Sequence, residues 1–465
     1  MRFVPIVSSA VLLAACTLIS SNASAADTAQ IKYTIAGAVT ADSARFNVQT
    51  VAGGLVEAQL VAGDAIHTAS AVTTEEAPHA LLVFDGLEAD TRYDLLIDGE
   101  VRGGTRTFPT ADDPRPLRFA YGSCMNSYSE TVRVTIDGQQ VQIPNHGIWE
   151  HLAEEEVDAL FIIGDRIYPP NPYEFYEEMT DEEGRAFYAE YHAHMMTIPH
   201  LADILSRTPT YVIWDDHDFG PNDSAKNYHL AHVALEAVEE TFANPPMGEP
   251  GNPGCYFATN FGPNVDAFFL DGRMHRDCAN RTTNRGGLLC RPAAERQADG
   301  TYIAVPTLDN CFGPRQMAWL KHGLMNSDAD VKLIIAGGQF LSDIHRFEAW
   351  YHFHEREEFF DWLAESNIPG VVFLSGDRHH GEIGRLANRG AYPWYEMTSS
   401  GLAVNTYGAD DDTPESPYEV LGPVASVHHY GIVDIDPEGR SISLSLVTGD
   451  GVVNERRIAW DEIQP

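Results

Sequence analysis

The chain has 465 residues, 44% of them hydrophobic, which is enough for two or three domains with sizeable cores. Its 68 acidic residues outnumber 30 basic ones and give a formal net charge of -38. Such a surface repels nucleic acids and anionic membranes, so an anionic ligand would need a local positive site such as a bound metal. The same acidity also suits solubility in a salty or calcium-rich medium.

The N-terminus predicts export. Residues 1–25 combine Arg2, a short apolar run and small polar residues, which is typical of a signal peptide. Two processing sites compete, a lipoprotein box ending at Cys16 that would allow a lipid anchor, and ordinary cleavage after Ala25. We favour the second, because LAAC also arises by chance in alanine-rich signal peptides. The mature protein is expected to be periplasmic or extracellular.

Residues 28–112 predict an all-β module. Short alternating apolar runs, separated by Gly and Asp turns at regular spacing, are typical of an antiparallel β-sandwich. The stretch GLEADTRYDLLIDG, with Tyr93 after a strand entry, resembles the tyrosine corner of fibronectin type III domains. Asp112 to Pro116 is the expected linker, and this module carries no recognisable chemistry.

Residues 116–465 predict a second, α/β domain with a largely parallel or mixed sheet, because apolar strands alternate with helical patterns. The strand candidates are LRFAYG, DALFIIG, PTYVIW, DAFFL, KLIIAG and GVVFLSG. The helical patterns cover Gly147–Glu155, Tyr173–Ser206, Ser224–Thr241, Pro314–Met325 and His354–Ser366. Several strands are apolar throughout, as expected of strands that are covered on both faces.

Residues able to bind metals follow five of these strands. They are Cys124, Asp165, Asp216 with His217, Gln339, and Asp377 with His379. The loops at the carboxyl ends of strands in an open α/β sheet converge on one crevice, so these side chains are expected to form one polynuclear site. Each loop taken alone could equally be a turn or a helix cap.

The run WDDHDFGPND carries the strongest signal of this kind. Its three carboxylates surround one imidazole at a strand end, and they cannot all stay ionised and dehydrated without a compensating cation. Asn222 and Asp223 add oxygen ligands in the same loop. A solvated acidic turn that caps the next helix is the alternative for this run on its own.

Beyond Cys16 the chain has five cysteines. This is an odd number, so in an oxidising compartment they cannot all pair within the chain. Four of them lie in a Gly-, Asn- and Pro-rich stretch and predict two disulfides of undetermined connectivity: Cys255, Cys278, Cys290 and Cys311. Cys124 is left over. Its alternative to metal binding is a role as a small buried apolar residue.

The motifs GSC, GDRIY, WDDHDFGPND, LDGRMHRD, GGQF and SGDRHHGE, in this order, resemble the PhoD-like alkaline phosphatases (alkaline phosphatase D) of the metallophosphoesterase superfamily. The resemblance implies an αββα-sandwich catalytic domain preceded by an all-β, fibronectin-III-like sandwich. It also implies hydrolysis of small phosphomonoesters or phosphodiesters at a centre of Fe³⁺ and Ca²⁺, with Zn²⁺ or Mn²⁺ less favoured.

The resemblance also assigns metal ligands. Asp165 would bridge two metals, while Tyr168 as phenolate and Cys124 as thiolate would bind the iron. The SGDRHH motif resembles GHxH with its first His replaced by Asp377, which favours hard oxygen ligands and hence calcium. The full set of expected ligands is Cys124, Asp165, Tyr168, Asp216, Asn222, Gln339, Asp377 and His379.

Three residues are expected to act in catalysis, in which water activated by two cations attacks phosphorus. His217, held by Asp218 or Asp215, would protonate the leaving alcohol. Arg273 would clamp the phosphate through its planar fork, or form a structural salt bridge instead. Two other function classes stay open: a related metallohydrolase of another ester, including phospholipid head groups, and a non-catalytic calcium-binding surface protein.

Overall fold

The computed structural model describes residues 28–110, 112–136, 138–168, 178–278, 280–282, 289–291, 294–296, 302–304, 308–343, 350–408 and 416–465, with backbone alone for 280–304. The expected signal peptide and Cys16 lie outside these ranges. No helix in the described part of the chain combines the length and the apolar character needed to cross a membrane.

Seven antiparallel strands form the N-terminal region. Their bounds are β1 Ile31–Val39, β2 Ser43–Thr50, β3 Gly54–Ala62, β4 Ala65–Thr73, β5 His79–Asp85, β6 Arg92–Ile97 and β7 Glu100–Arg106. They make a three-stranded sheet in the order β1-β2-β5 and a four-stranded sheet in the order β4-β3-β6-β7. Tyr93 forms a corner, because its hydroxyl accepts a hydrogen bond from the backbone N–H of Glu88 at 2.8 Å.

Two mixed sheets form the rest of the molecule. One has the order β12-β11-β8-β24-β25-β26 and the other the order β13-β14-β19-β20-β22-β21-β23. Their strands are β8 Leu117–Gly122, β11 Ala159–Ile163, β12 Thr210–Ile213, β13 Phe257–Asn260, β14 Val265–Phe269, β19 Val331–Ile335, β20 Val371–Ser375, β21 Gly381–Leu386, β22 Trp394–Ser399, β23 Tyr418–Val420, β24 His429–Asp436, β25 Ser441–Thr448 and β26 Gly451–Ala459. All six strands expected from the apolar runs are confirmed.

Three short hairpins complete the strands. The first pairs β9 Thr131–Ile136 with β10 Gln139–Pro144 and lies directly after the loop that carries Cys124. The other two pair β15 Asn280–Thr282 with β16 Leu289–Arg291, and β17 Ala294–Arg296 with β18 Tyr302–Ala304.

The helices match four of the five helical patterns, although the helix expected over Ser224–Thr241 begins only at Ala231. They are α1 Ile148–Glu154, α2 Asp181–Met195, α3 Leu201–Arg207, α4 Asp216–Phe219, α5 Ala231–Thr241, α6 Pro314–Asn326 and α7 His354–Ser366, with 3₁₀ turns at Trp350–His352 and Trp460–Ile463. Residues 178–206, the described part of the pattern expected over 173–206, contain two helices instead of one. Pro199 cannot donate a helical hydrogen bond and His200 is left-handed with a φ of 67°, so the chain breaks between α2 and α3.

The two mixed sheets pack against each other through aromatic side chains. The ring of Phe161 on β11 lies 5.2 Å from Phe119 on the same sheet, and 5.2 Å from Phe269 on the facing sheet. Tyr211 on β12 stacks 6.0 Å from Phe269. Each of these side chains is fully buried, which stabilises the fold by roughly 1.5–3 kcal/mol per large apolar side chain. This core fixes both sheets in one orientation.

The N-terminal strands are tied to the same core. The hydroxyl of buried Tyr211 accepts a hydrogen bond from the N–H of Val39 at 3.0 Å and donates to its carbonyl at 3.1 Å. Gly37 approaches so closely that an added Cβ would lie 2.2 Å from the carbonyl oxygen of Ala243. Strand β12, which leads into the WDDHD run, is thus hydrogen-bonded to strand β1 of the N-terminal region.

We predict that Tyr211→Phe lowers the free energy of unfolding by about 1–3 kcal/mol, because it leaves buried backbone groups of Val39 without their partner. Urea unfolding followed by tryptophan fluorescence measures this. Tyr33→Phe is the matched control, since the Tyr33 hydroxyl has no hydrogen bond to the described residues. Equal shifts in both variants would contradict the proposed role of this contact.

Candidate metal centre

The carboxyl ends of the parallel strands meet at one edge, where acidic, thiol and imidazole groups come together. Three overlapping groups have ligand atoms that all lie within 4.8 Å of one another. They are Cys124 with Asp165 and His379, Asp165 with Asp216 and His217, and Asp165 with Asp215, Asp216 and Asp377. The expected convergence of distant motifs is therefore present, and Asp165 belongs to all three groups.

One corner of the cluster combines sulfur, phenol and imidazole. The Cys124 Sγ lies 3.5 Å from Asp165 Oδ2, and the Tyr168 hydroxyl donates to the same oxygen at 3.0 Å. The Tyr168 hydroxyl also lies 3.1 Å from Nε2 of His379. These four side chains come from three different loops, and their donor types suit a transition-metal ion such as iron.

The opposite corner offers oxygen atoms. The backbone N–H of Asp223 donates to Asp216 Oδ2 at 2.7 Å, which ties the loop containing Asn222 to the cluster. Asp215 and Asp377 bring further carboxylates within reach of Asp216. Oxygen-rich sites of this kind suit hard cations such as calcium. The Asn222 side chain is half-buried, and its role as a ligand stays a prediction.

The electrostatics of the cluster favour bound cations. Burial raises the pKa of Asp165 well above its usual value, and the carboxylates of Asp216 and Asp215 raise it further. Burial and the neighbouring Asp165 likewise raise the pKa of the Cys124 thiol. A bound cation would offset these effects, because it favours the ionised, ligating forms of these groups.

His379 is in its metal-binding form over the neutral pH range. Burial, together with the charges of His217 and Arg378, lowers the pKa of His379 to about 4. A neutral imidazole has a ring nitrogen lone pair available for a metal.

The backbone of the site loops is strained at several residues. Left-handed φ angles occur at non-glycine residues Cys124 (63°), Asp165 (54°), Asp223 (57°), Asp377 (70°) and His379 (54°). Such a conformation is uncommon for residues with a Cβ, and it concentrates at functional sites. All but Asp223 belong to the three ligand groups and lie within four residues of the end of their strand.

Two glycines leave room for Asp215 at the base of the site. A Cβ on Gly337, in the GGQF motif, would lie 2.6 Å from the Asp215 Cγ. A Cβ on Gly164, in the GDRIY motif, would lie 2.6 Å from the Asp215 Cβ. The backbones of two other motifs therefore enclose this carboxylate.

The Arg273 side chain is buried against two carboxylates of the cluster. Its side chain is 1% exposed, with Nε 2.5 Å from Asp215 Oδ1 and Nη2 3.8 Å from Asp216 Oδ1. Its backbone N–H donates to Asp271 Oδ1 at 2.8 Å. Of the two roles expected from the sequence, the structural salt bridge is the one that these contacts form.

Asp218 has a different environment from the one expected. Its Oδ1 accepts hydrogen bonds from the backbone N–H groups of Arg166 (2.9 Å) and Ile167 (3.3 Å), and its Oδ2 accepts from that of Asp215 (3.1 Å). It also pairs with the buried Arg166 guanidinium at 3.3 Å. The expectation that Asp218 holds His217 is therefore wrong, because both oxygens secure the loops after β11 and β12.

Gln339 lies in a neighbouring polar network. Its amide nitrogen donates to Glu382 Oε1 at 2.8 Å and to Thr398 Oγ1 at 3.0 Å. His380 and Tyr418 also contact Glu382, at 3.2 and 3.1 Å. The role of Gln339 as a metal ligand stays a prediction, but its amide nitrogen is committed to this network.

Two hydroxyl groups that the sequence analysis did not predict hold the Cys124 thiol in place. The Cys124 Sγ lies 3.3 Å from Ser123 Oγ and 3.1 Å from Ser400 Oγ. Ser400 Oγ also accepts a hydrogen bond from the His379 backbone N–H at 2.8 Å. Ser400 follows β22, a strand absent from the predicted set, so only recognition of that strand could have revealed it.

The expected pair of disulfides within the cysteine cluster is wrong. Cys255 and Cys311 are both buried, and neither forms a disulfide. Cys255 packs against Met247, with 3.6 Å between the two sulfur atoms, and Cys311 lies near Arg276. Cys278 is disulfide-bonded, and its partner lies outside the side chains that the structure describes.

A family model described as PhoD-like phosphatase matches residues 132–442, more than half of the chain. The chain belongs to the PhoD-like phosphatase family. The match begins after Cys124 and includes the other residues of the three ligand groups. Membership agrees with the resemblance seen in the motifs.

A curated relative supports this membership. The chain is 23% identical over 309 residues to alkaline phosphatase D of Bacillus subtilis (strain 168). The alignment covers 60% of this chain and 48% of that protein, so it spans about half the length of the relative.

Two solved structures share the fold. A structure of PhoD matches with a TM-score of 0.71 and 17% identity, over 92% of this chain and 88% of that one. Purple acid phosphatase PPD1 from yellow lupin (Lupinus luteus) seeds matches with a TM-score of 0.59 and 11% identity, over 93% and 74%. At these identities the two likenesses establish the metallophosphoesterase-like fold alone.

We predict that metal-free protein loses stability as the pH rises above about 9, the usual pKa of a cysteine thiol. The folded state keeps Cys124 protonated while the unfolded state ionises it, so rising pH favours unfolding. A metal ion held by Cys124 would reverse this contribution, since the folded state would then hold the thiolate. Urea unfolding at pH 8 to 10, with and without chelator, measures the difference.

Cys124→Ser should remove most of this metal-dependent difference. Cys255→Ser is the matched control, because that thiol is also buried with a raised pKa but lies outside the three ligand groups. If Cys255→Ser removes the difference and Cys124→Ser keeps it, Cys124 is not a metal ligand.

Proposed function

We propose that this protein is an exported, metal-dependent phosphoesterase that hydrolyses small phosphomonoesters or phosphodiesters with metal-activated water. One observation carries the proposal. Asp165 belongs to three groups of candidate ligands from separate motifs, and within each group the ligand atoms all lie within 4.8 Å of one another. Asp165 would therefore contribute to holding more than one cation, because it belongs to each of these groups. Family membership supports phosphate-ester hydrolysis as the reaction.

The donor types suit two kinds of ion. Cys124, Tyr168 and His379 would hold Fe³⁺ together with Asp165, because thiolate, phenolate and imidazole favour a transition metal. Asp216, Asp377 and Asn222 would hold Ca²⁺ through oxygen atoms. When bound, such cations activate water as a nucleophile near neutral pH and offset the charge on the phosphoryl oxygens.

The protein's own groups would orient the substrate and move protons. His217 is half-buried, its ring stands 4.3 Å from the Tyr168 ring, and its backbone N–H donates to Asp165 Oδ1 at 3.2 Å. We propose that its imidazole protonates the leaving alcohol. Arg273 fixes Asp215 by their ion pair, and thereby supports the base of the site.

The same proposal includes the finer architecture. The two mixed sheets would be the inner layers of an αββα-sandwich, and residues 28–112 would be a fibronectin-III-like sandwich. Residues 1–25 would be removed as a signal peptide, with Cys16 available for a lipid anchor only if the lipoprotein box is used.

We predict that the purified protein hydrolyses 4-nitrophenyl phosphate or bis(4-nitrophenyl) phosphate, and that a chelator abolishes turnover. Elemental analysis of the same sample should find iron and calcium. A visible phenolate-to-iron absorption band should be present and should disappear in Tyr168→Phe. Tyr128→Phe is the control, because that exposed ring stacks on His194 rather than on the cluster.

The competing functions predict different results. Retained calcium with no turnover of either ester would favour a calcium-binding surface protein. Chelator-sensitive turnover of another ester, such as a phospholipid head group, with neither aryl phosphate hydrolysed, would favour a related metallohydrolase. Zinc or manganese in place of iron would remove the Tyr168 assignment but keep the phosphoesterase.

We predict that His217→Ala keeps its metal content and loses far more activity on alkyl phosphates than on 4-nitrophenyl phosphate. General acid catalysis contributes about 10²–10⁴-fold, and only a poorly acidic alcohol needs a proton as it leaves. Leaving-group dependence of kcat/KM measures this. Equal losses on both ester types, together with loss of one metal equivalent, would make His217 a ligand, as its position beside Asp165 and Asp216 allows.

A further inference from the structure

Residues 400–408 run along one side of the metal cluster and contact two of its candidate ligands. Ser400 touches the Cys124 thiol and the His379 backbone, as described above. Farther along, the N–H of Ala403 donates to the carbonyl of Cys124 at 3.0 Å, and the N–H of Tyr407 to the carbonyl of His379 at 3.0 Å. This segment is therefore fixed to the loops after β8 and β20.

The hairpin of β9 and β10 holds the same segment from its other side. The backbone N–H of Arg133 donates to Asn405 Oδ1 at 2.8 Å, and its carbonyl accepts from the N–H of Thr406 at 2.8 Å. The hydroxyl of Thr406 also donates to the carbonyl of Ser426. The position of Tyr407 is thus set by backbone and side-chain bonds on both sides.

Tyr407 presents an exposed aromatic ring beside the site. Its ring is parallel to that of His379, with an interplanar angle of 5° and 5.6 Å between centroids. It is nevertheless 52% exposed, and its hydroxyl has no hydrogen bond to the described residues. An ordered, exposed aromatic surface next to a candidate metal ligand is available to contact a bound molecule.

We propose that Tyr407 is a specificity-determining residue, whose ring stacks against an aromatic group in the alcohol portion of the phosphate ester. This inference rests on the proposed phosphoesterase function and names its substrate class. The surroundings are strongly acidic, so a neutral ring can hold the organic part of the substrate without adding repulsion against its phosphate. The phosphate itself would be held at the metal cluster.

Competitive inhibition of metal-loaded enzyme tests this, with 4-nitrophenyl phosphate as substrate. The inhibitors are phenylphosphonate, methylphosphonate and inorganic phosphate, which share an anionic head and differ in their organic part. Tyr407→Ala should raise the inhibition constant of phenylphosphonate about 2- to 12-fold, the size expected from loss of one aromatic pair. The inhibition constants of methylphosphonate and phosphate should change by less than about 2-fold.

Two further variants complete the comparison. Tyr407→Phe should restore the affinity for phenylphosphonate, because stacking needs the ring and not the hydroxyl. Tyr128→Ala is the matched control, since Tyr128 is 43% exposed and stacks on His194, 3.8 Å away, outside the cluster. It should leave the preference for phenylphosphonate over methylphosphonate unchanged.

Two outcomes would overturn the proposal. Equal weakening of all three inhibitors by Tyr407→Ala would show that Tyr407 only positions His379. No change with any inhibitor would show that the ring does not meet the substrate. Failure of the underlying function is distinguishable from both, because the unaltered, metal-loaded protein would then hydrolyse neither 4-nitrophenyl phosphate nor bis(4-nitrophenyl) phosphate.

Discussion

The structure depends on the mutual repulsion of carboxylates that the fold forces together. Parallel strands from both mixed sheets end at the same edge, and their loops bring Asp165, Asp215, Asp216 and Asp377 into one cluster. Burial and this repulsion raise the pKa of Asp165, even though the Arg273 guanidinium lies beside Asp215 and Asp216. The positive charge of Arg273 is therefore not enough to offset the negative charge of the fully ionised cluster, and bound cations would supply the rest.

The surrounding residues keep this cluster in place. Asp218 and Arg166 form a buried ion pair that secures the loops after β11 and β12, while Ser123 and Ser400 fix the thiol. None of these four residues needs to contact a substrate in order to maintain the geometry of the site. They hold the strained loops in the conformation that directs the ligand atoms towards the cluster. The contacts thereby offset the cost of the strained backbone and give the site one geometry.

The sequence predicted those parts of the molecule whose signal is local. Apolar runs such as DALFIIG and GVVFLSG are strands, and the polar residues directly after them reach one cluster. The rule that strand ends converge was sufficient for Cys124, Asp165 and His379, although they are distant along the chain. The domain boundaries and the ligand roles stay predictions.

What the sequence did not reveal depends on long-range pairing. Strand β24 pairs with β8 over about 310 residues of chain, as in Ile432 opposite Ala120, and nothing local indicates that partner. Arg273 and Asp218 were assigned to catalysis because charged side chains in motifs suggest chemistry. Their burial against Asp215 and Arg166 could not be read from spacing alone. The cysteine-rich composition likewise suggested bridges where Cys255 and Cys311 instead pack as apolar groups.

The glycines at the site link the motifs to one another. Gly164 and Gly337 both lie directly against Asp215, and a Cβ on Gly376 would lie 2.3 Å from Ser123 Oγ, so residues of five motifs are in close contact because these three glycines have no side chain. A mutation at one of these glycines displaces a residue that another motif supplies. Such motifs are therefore expected to diverge together between homologues, and engineering one of them alone will disturb its neighbours.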